Sequence, residues 1–416
     1  MSRPFSQRIN LQILSKIVFT LYIVYTNVLS FSLFTIRGLS TALLACAVML
    51  QLLHDKFRLH FDKSFIALLL FALYAYVSGF LVAYDFDKAL STLLSFVEYL
   101  VVFYLVICYI SSDGKPDFPM VVFILQALLT IFIMVFRGVG ITRISISNVV
   151  NVNTIGTTLA FAIGFVLYLL IARRNKPINW VIGIASIAAL LVGILLTVSK
   201  KAIIGGAALI VLWIVLCYRS MFARIRLIWK LLILLGFVVT GVYVYRWFMS
   251  QYAFQIEVLL YRMDNLYVGD SDQARIYYIK EGFRIFLSHP IFGVGLNNAR
   301  YYNMLKETYT HCLYSELPAC TGIIGTFIFG YTLVRPWVII SEKRKSYKRT
   351  DPILNTRTKY LLAIFAVFFA ISFTQIAFYA QNLMYVLAII TGFAVSAPLM
   401  NGQEQEVLNE KGSFAG

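Results

Sequence analysis

The stretch KSFIALLLFALYAYVSGFLVAY, residues 63–84, carries a single charge, at its first position. A helix rises 1.5 Å per residue, so about 20 apolar residues cross the roughly 30 Å hydrocarbon core of a bilayer. Similar runs recur along all 416 residues of the chain, which is 60% hydrophobic and 13% charged. A soluble domain carries about 25% charged residues. The fold expected is therefore all-α and polytopic, with spans at 13–35, 37–53, 63–84, 88–111, 118–137, 153–172, 178–198, 201–218, 225–247, 318–340, 359–379 and 381–399. Very short turns between several spans imply antiparallel neighbours. The first run follows the basic start MSRPFSQR, as a signal peptide would, but it is too long and lacks a small-residue cleavage pattern.

The net charge of +17 might suggest nucleic acid, but its distribution points to a membrane. With the N-terminus in the cytoplasm, the inner segments hold 22 of the 36 Lys and Arg residues, including RRNK at 173–176 and EKRKSYKR at 342–349. That is the positive-inside pattern, and it puts both termini on the cytoplasmic side. The chain then divides into helices 1–9 over 1–245, a long outer loop over 246–317, helices 10–12 over 318–400 and a polar, unstructured cytoplasmic tail over 401–416. The outer loop has seven basic and seven acidic residues. Its length without an apolar run points to function. Within it Asp272 is a good cap for a helix reaching Leu287, with Ile276, Ile279, Phe283 and Phe286 expected on one buried face. Arg275 would sit at the edge of that face, with Lys280 and Arg284 on the far side.

The chain has no P-loop and no GxSxG. GVGLNNA at 293–299 lacks the third glycine and the preceding strand of a dinucleotide fingerprint. The cysteines form no CxxC pair and no Cys/His cluster, so neither a metal nor a cofactor is expected. What remains is a set of cations and one histidine on the outer side. Lys200 and Lys201 share a tight turn, which fits either interfacial snorkelling or an anion site. Arg143 lies in TRISISNVVNVNTIG, where Asn151 and Asn153 also read as helix caps. Glu98 is a charge within a span and must face the bundle interior, with a structural partner as its first account. His311, in YTHCLYSEL at 309–317, reads either as structural or as a general base. If this stretch is helical, Ser315 shares the face of His311 and Glu316 does not. The tyrosines flanking the loop read as an interfacial belt, from which some would stack on sugar rings.

The segment DSDQARIYYIKEGFRIFLSHPIFGVGLNNARYYN, followed by YTHCLYSELPACTGIIG, resembles the O-antigen polymerase and ligase superfamily of bacterial surface-polysaccharide assembly. The family pattern of an arginine-bearing helix, a Pro-x-x-Gly-x-Gly turn, and a histidine ahead of Tyr-x-Glu and a glycine-rich span falls on Arg275, Pro290 with Gly293 and Gly295, His311, Tyr314 with Glu316, and Gly322 with Gly325. Ser199-Lys200 is similar to the family's Ser-Arg pair, with lysine in place of arginine. NVNTIG is similar to its Asn-Pro-Asn segment. Cys312 stands where asparagine is usual, and Pro318 falls where the family helix commonly continues, so the tenth span is expected to start there.

The resemblance implies a membrane-embedded, metal-independent and inverting glycosyltransferase of the bacterial inner membrane, with its active site facing the periplasm. Its donor and acceptor would be undecaprenyl-diphosphate-linked oligosaccharides, with membrane lipids around it, a Wzz-type chain-length regulator as a further partner, and no nucleic acid. His311 and Arg275 are the catalytic candidates. Lys200, Lys201, Arg143, Arg262, Tyr314, Glu316 and Asn153 are the candidates for holding substrate and diphosphate, with Glu316 also an alternative base. A polymerase is the first reading. A ligase that delivers the glycan to lipid A-core is the second, and a flippase is the reading from another class, weakened by the absence of related halves.

Overall fold

The computed structural model describes residues 11–30, 36, 38–59, 61–137, 151–172, 176–218, 246, 270–302 and 308–396, and every regular element among them is helical. In chain order these are α1 (Leu11–Val24, running into a π turn at Tyr25–Leu29), α2 (Leu39–His54), α3 (Lys63–Val82), α4 (Phe86–Asp113), α5 (Asp117–Arg137) and α6 (Val152–Ala172). They continue with α7 (Pro177–Thr197), α8 (Lys200–Trp213, with a π turn at Ile214–Tyr218), α9 (Asp270–Ser288), α10 (Leu313–Thr350), α11 (Pro352–Ser372) and α12 (Gln381–Ser396). Nine helices among the described residues are long and apolar enough to cross a membrane, and α2 and α12 are shorter apolar helices. The chain is thus an all-α polytopic membrane protein. The expected span at 225–247 and the tail at 401–416 lie outside the described residues.

Local signals set the helix ends. Asp62 accepts the Ser64 N–H at 2.7 Å and Asp85 the Lys88 N–H at 2.9 Å, capping α3 and α4. Asp351 caps α11 through the N–H groups of Ile353 and Leu354, with Pro352 at its first position. α6 and α12 are buried along most of their length, and α12 packs on α4 at the centre of the bundle. Large apolar side chains such as Phe80, Phe132 and Phe136 point outward, as suits a surface facing lipid tails. At one end of the bundle, ion pairs join helix termini: Lys16 with Asp113 at 2.6 Å, Arg335 with Asp62 at 2.7 Å and Arg357 with Asp117 at 3.2 Å. The turns at 83–85 and 198–199 and the segments 289–302, 308–312 and 373–380 lie at the opposite end.

Two departures from the expected span boundaries shape the functional end. α10 begins at Leu313 and carries Pro318 inside it, and its break falls at Gly322, with φ 61° and ψ −165°. The break exposes backbone groups that a straight helix would pair internally, and the Pro290–Gly295 loop takes them up. Val294 N–H donates to Ala319 O at 3.0 Å, Gly295 N–H to Cys320 O at 2.9 Å, and Ile323 N–H to Pro290 O at 2.8 Å. A Cβ on Gly293 would lie 2.4 Å from the carbonyl carbon of Cys320, so only glycine admits this contact. The second difference is at the eleventh span, which ends at Ser372 and not at 379. Residues 373–380 form a polar connection with a short 3-10 turn at Ala377–Tyr379.

Candidate active site

A cavity of about 380 Å³ opens at the end of the bundle where these connections meet. One wall is the first part of α4, where Lys88, Ser91, Thr92 and Ser95 recur at helical spacing. Lys201 on α8, Arg275 on α9, Arg300 and His311 bring an amine, two guanidinium groups and an imidazole to one space, opposite Lys88 on α4. Tyr309 and Tyr379 supply aromatic faces. Asn151, Asn153 and Gln375 add neutral polar groups.

His311 is not helical. It precedes Cys312, the N-cap of α10, and sits in the left-handed region at φ 60°. The i+4 relation to Ser315 therefore fails. Ser315 is fully buried and donates to Thr310 Oγ1 at 3.0 Å. A histidine at positive φ is uncommon and needs the surroundings to hold it. The hold comes from Glu316, which is fully buried one turn below. Its Oε2 accepts the Thr310 N–H at 2.8 Å, and its Oε1 accepts the Tyr379 hydroxyl at 3.1 Å. The Cys320 thiol donates to Oε1 at 3.4 Å. Glu316 does not line the cavity; it ties the His311 turn to the 373–380 connection. The Tyr309 ring packs on the imidazole with centroids 4.2 Å apart. Burial, and then the Arg275 and Lys201 charges, push the His311 imidazole down from 6.5 to about 4. It is neutral at pH 7, the form a general base needs.

The cations are positioned by distinct devices. Lys201 donates from Nζ to Gln375 Oε1 at 3.0 Å and to Thr374 O at 3.4 Å, so it is held against the 373–380 connection. Thr157 Oγ1 donates to the same Gln375 oxygen at 3.0 Å. Ser199 stands at the N-cap position of α8 without capping it through its side chain, and donates from Oγ to Asn153 Oδ1 at 3.1 Å. Arg300 donates from Nε and Nη2 to Asn297 Oδ1 at 3.1 and 2.6 Å, and Asn297 donates from Nδ2 to Thr92 Oγ1 at 3.1 Å. Val198 (φ 50°), Asn297 (φ 58°) and His311 are all left-handed at this rim, a clustering of backbone strain usual at functional sites.

α9 meets α10 differently from the sequence expectation. Ile276 and Phe283 are exposed, and the buried line runs through Gly282 and Ile285. Gly282 decides this face, because a Cβ there would meet Ser315 Cβ and Thr310 Cγ2 at 2.9 Å. Arg275 lies two turns before Gly282, and so on the contact face and not at its edge. Lys280 and Arg284 project outward. Arg284 pairs with Glu281 at 2.7 Å and donates to Tyr302 O at 2.9 Å. The helix starts at Asp270, which leaves Asp272 in its first turn and not at its cap.

Of the residues singled out from sequence, the cavity gathers His311, Arg275, Lys201 and Asn153. Lys200 is not among its lining residues. Tyr314 turns away, donating its hydroxyl to Phe369 O at 2.9 Å and packing on Phe373. Arg143 and Arg262 lie outside the described residues. Sequence reasoning missed Lys88, Asn297, Arg300, Gln375 and Tyr379. The polar letters TQ and YAQN at 374–375 and 379–382, inside an otherwise apolar C-terminal region, were the available signal for the last two. Among the described residues no group of three His, Cys, Asp or Glu stands together as a metal site.

Residues 185–330 match the family model described as O-antigen ligase. The matched part holds Lys201, Arg275, Arg300 and His311, while Lys88, Asn153, Gln375 and Tyr379 come from outside it. No curated protein matches the chain. Over this segment the chain is similar to the O-antigen ligase family.

Proposed function

We propose that this chain is a member of the O-antigen polymerase and ligase superfamily and acts as a surface-polysaccharide polymerase that moves an undecaprenyl-diphosphate-linked glycan onto a sugar of a second lipid-linked unit. The observation that carries the reading is the meeting of Arg275, Lys201, Arg300 and a neutral His311 around one cavity. A glycosyl diphosphate is already activated: it carries two negative charges when bound, and cleavage of the C–O bond places a third on the departing lipid diphosphate. Arg275 offers a planar fork for two phosphoryl oxygens, and Lys201 a compact point charge. Neutral His311 takes the proton from the acceptor hydroxyl as that oxygen attacks the anomeric carbon. The C–O bond to the diphosphate breaks with its electron pair on the leaving group, and direct displacement inverts the carbon.

In this reading the charge of the leaving group is met by side chains, so purified enzyme works in EDTA, and a strict need for a divalent ion would overturn that part. The cavity faces the periplasm of a bacterial inner membrane. A reporter after Gln273 then reads outside and one after Lys345 reads inside; the reverse result would remove the lipid-linked substrates from reach.

The matched family is described as O-antigen ligase, and the second reading is transfer to lipid A-core by a ligase. Deletion in the native host separates the two. Lipopolysaccharide capped with one repeat supports the polymerase, and bare core supports the ligase.

A further inference from the structure

A second cavity, of about 350 Å³, continues the first deeper into the bundle and shares Tyr99, Asn151, Thr154, Tyr379 and Ala380 with it. Its own lining is different in kind. It has no cation among its lining residues and one carboxylate, Glu98, about 18 Å along α4 from Phe86. A carboxylate at that depth is costly and is kept for a reason. Its Oε1 accepts the Tyr22 hydroxyl at 2.6 Å, and Gln381 Nε2 donates to the same hydroxyl at 2.9 Å.

Several hydrogen-bond donors around this cavity are spent within the protein. Asn27 Nδ2 donates to Ile23 O at 3.1 Å, Asn382 Nδ2 to Thr158 Oγ1 at 3.1 Å, and Thr130 Oγ1 to Gln126 O at 2.8 Å. The lining also offers acceptors. Gln126 is 4% exposed and lines the cavity, and its Oε1 has no hydrogen-bond partner among the described residues. Thr26 Oγ1, on the same lining, is likewise buried without one. Buried polar atoms are normally satisfied; the Gln126 oxygen lacks a donor, and the Thr26 hydroxyl, which can give as well as accept, lacks any partner. A diphosphate has no donor to give and is repelled by Glu98. A lipid tail offers neither donor nor acceptor. An ion finds a single carboxylate in a space far larger than itself. A sugar ring brings several hydroxyl donors and apolar C–H faces that suit Tyr99 and Tyr379.

We infer that this inner cavity is a glycan subsite, in which Glu98 and Gln126 accept hydroxyl hydrogens of a neutral sugar held beside the diphosphate cavity. The inference rests on the reading of the outer cavity as a lipid-diphosphate glycan site, and it names the residues that select the sugar.

The test uses the full-length protein in detergent and two probes. One is the oligosaccharide released by mild acid from the lipid-linked precursors of the host, free of lipid and phosphate. The other is inorganic pyrophosphate. Glu98→Gln keeps an oxygen for Tyr22, and Gln126→Leu keeps the volume; each should weaken oligosaccharide binding about tenfold, the loss of one hydrogen bond to a charged or buried group, and leave pyrophosphate binding unchanged. Retained pyrophosphate binding also shows that the variants are folded. Arg275→Ala should do the reverse. Unchanged oligosaccharide affinity in both Glu98→Gln and Gln126→Leu would overturn the subsite, as would sodium-dependent stabilisation lost in Glu98→Gln while oligosaccharide binding stays intact. Failure of the wild-type protein to bind pyrophosphate would instead overturn the reading of the outer cavity.

Discussion

The Glu316 carboxylate accepts the backbone N–H of Thr310 at 2.8 Å, one residue before His311. Through its other oxygen it accepts from Tyr379, so one buried group fixes two sides of the cavity. It is not among the residues lining that cavity, which suits a positioning role beside the proposed base His311. Glu316→Gln keeps one acceptor oxygen and should retain part of the activity. Glu316→Ala leaves the Thr310 N–H and the Tyr379 hydroxyl unpaired in the interior, each at about 1–3 kcal/mol. It should unfold at lower temperature and lose most turnover. The discriminating measurement is the pH profile of Glu316→Gln: if Glu316 were the base, the acid limb would vanish with it, whereas a positioning role leaves the limb in place.

His311→Ala should lower turnover by about 10²–10⁴-fold, the usual range for losing a general base, while the protein still accumulates in the membrane. The pH dependence follows from the imidazole's depression to about 4. A base works only when neutral, so kcat/KM, which reports the free enzyme, should stay flat to about pH 5 and fall near pH 4. A bound diphosphate offsets the repulsion from Arg275 and Lys201, so the acid limb of kcat should lie at higher pH than that of kcat/KM. Stability moves with the same group. Its folded value lies below the ordinary 6.5, so the contribution is complete above 6.5 and is lost as pH falls toward 4. Coincident acid limbs for the two kinetic constants would sink the coupling between leaving group and base.

Much of this was legible in the sequence, because a span announces itself by length and hydropathy alone. Residues 63–84 needed nothing beyond their own letters. The functional end was legible through the motif around His311 and through Arg275, but side-chain direction was not. Whether Ile276 or Ile285 is buried depends on Gly282 admitting α10 closely, a tertiary fact with no local signal. Glu316 carries the same ambiguity: a carboxylate near a histidine reads as chemistry until its three donors are seen. Gln375 and Tyr379 were hidden by the opposite effect, since apolar neighbours on both sides extended the eleventh span over a real connection.

The plug of the Pro290–Gly295 loop into the α10 break predicts unequal glycines. Gly293→Ala puts a Cβ at 2.4 Å from the Cys320 backbone and forces a left-handed φ of 70° on alanine. It should destabilise by more than about 2 kcal/mol, the left-handed cost plus the clash. Gly330 lies in the same helix with nothing within 4 Å of its would-be Cβ. Gly330→Ala should be neutral or stabilise by about 0.5–1 kcal/mol through helix propensity. Thermal unfolding in detergent reads both; a Gly293→Ala protein as stable as wild type would mean that the loop is not seated in the break.

Lys200 and Lys201 are adjacent in sequence but differ in placement. Lys201 lines the cavity and is held by Gln375, while Lys200 does not line it. Lys201→Ala should cost about 10²–10³-fold in turnover, as loss of one charge-stabilising donor does elsewhere, and Lys200→Ala should stay close to wild type. Gln375→Leu removes the oxygen that holds Lys201 and should fall between them. Equal losses at both lysines, measured as polymer per unit of membrane protein, would make the contribution a surface field and not a placed charge.

The same comparison around α9 is the most demanding one. Arg275 faces the cavity, whereas Arg284 is exposed and already paired with Glu281 and Tyr302 O. An exposed ion pair is worth about 0–1 kcal/mol, while a guanidinium gripping two phosphoryl oxygens in a partly desolvated site is worth far more. Arg275→Ala should therefore be nearly inactive. Arg275→Lys should recover little, because an ammonium keeps the charge but not the planar fork. Lys280→Ala and Arg284→Ala should make polymer at near wild-type rates. The readout is polymer per unit of membrane protein for the four variants side by side. If Arg275→Lys were fully active, charge alone would suffice and the bidentate grip would be wrong. If Arg284→Ala lost as much as Arg275→Ala, the helix would act as a diffuse positive surface, and the specific clamp would have to be abandoned.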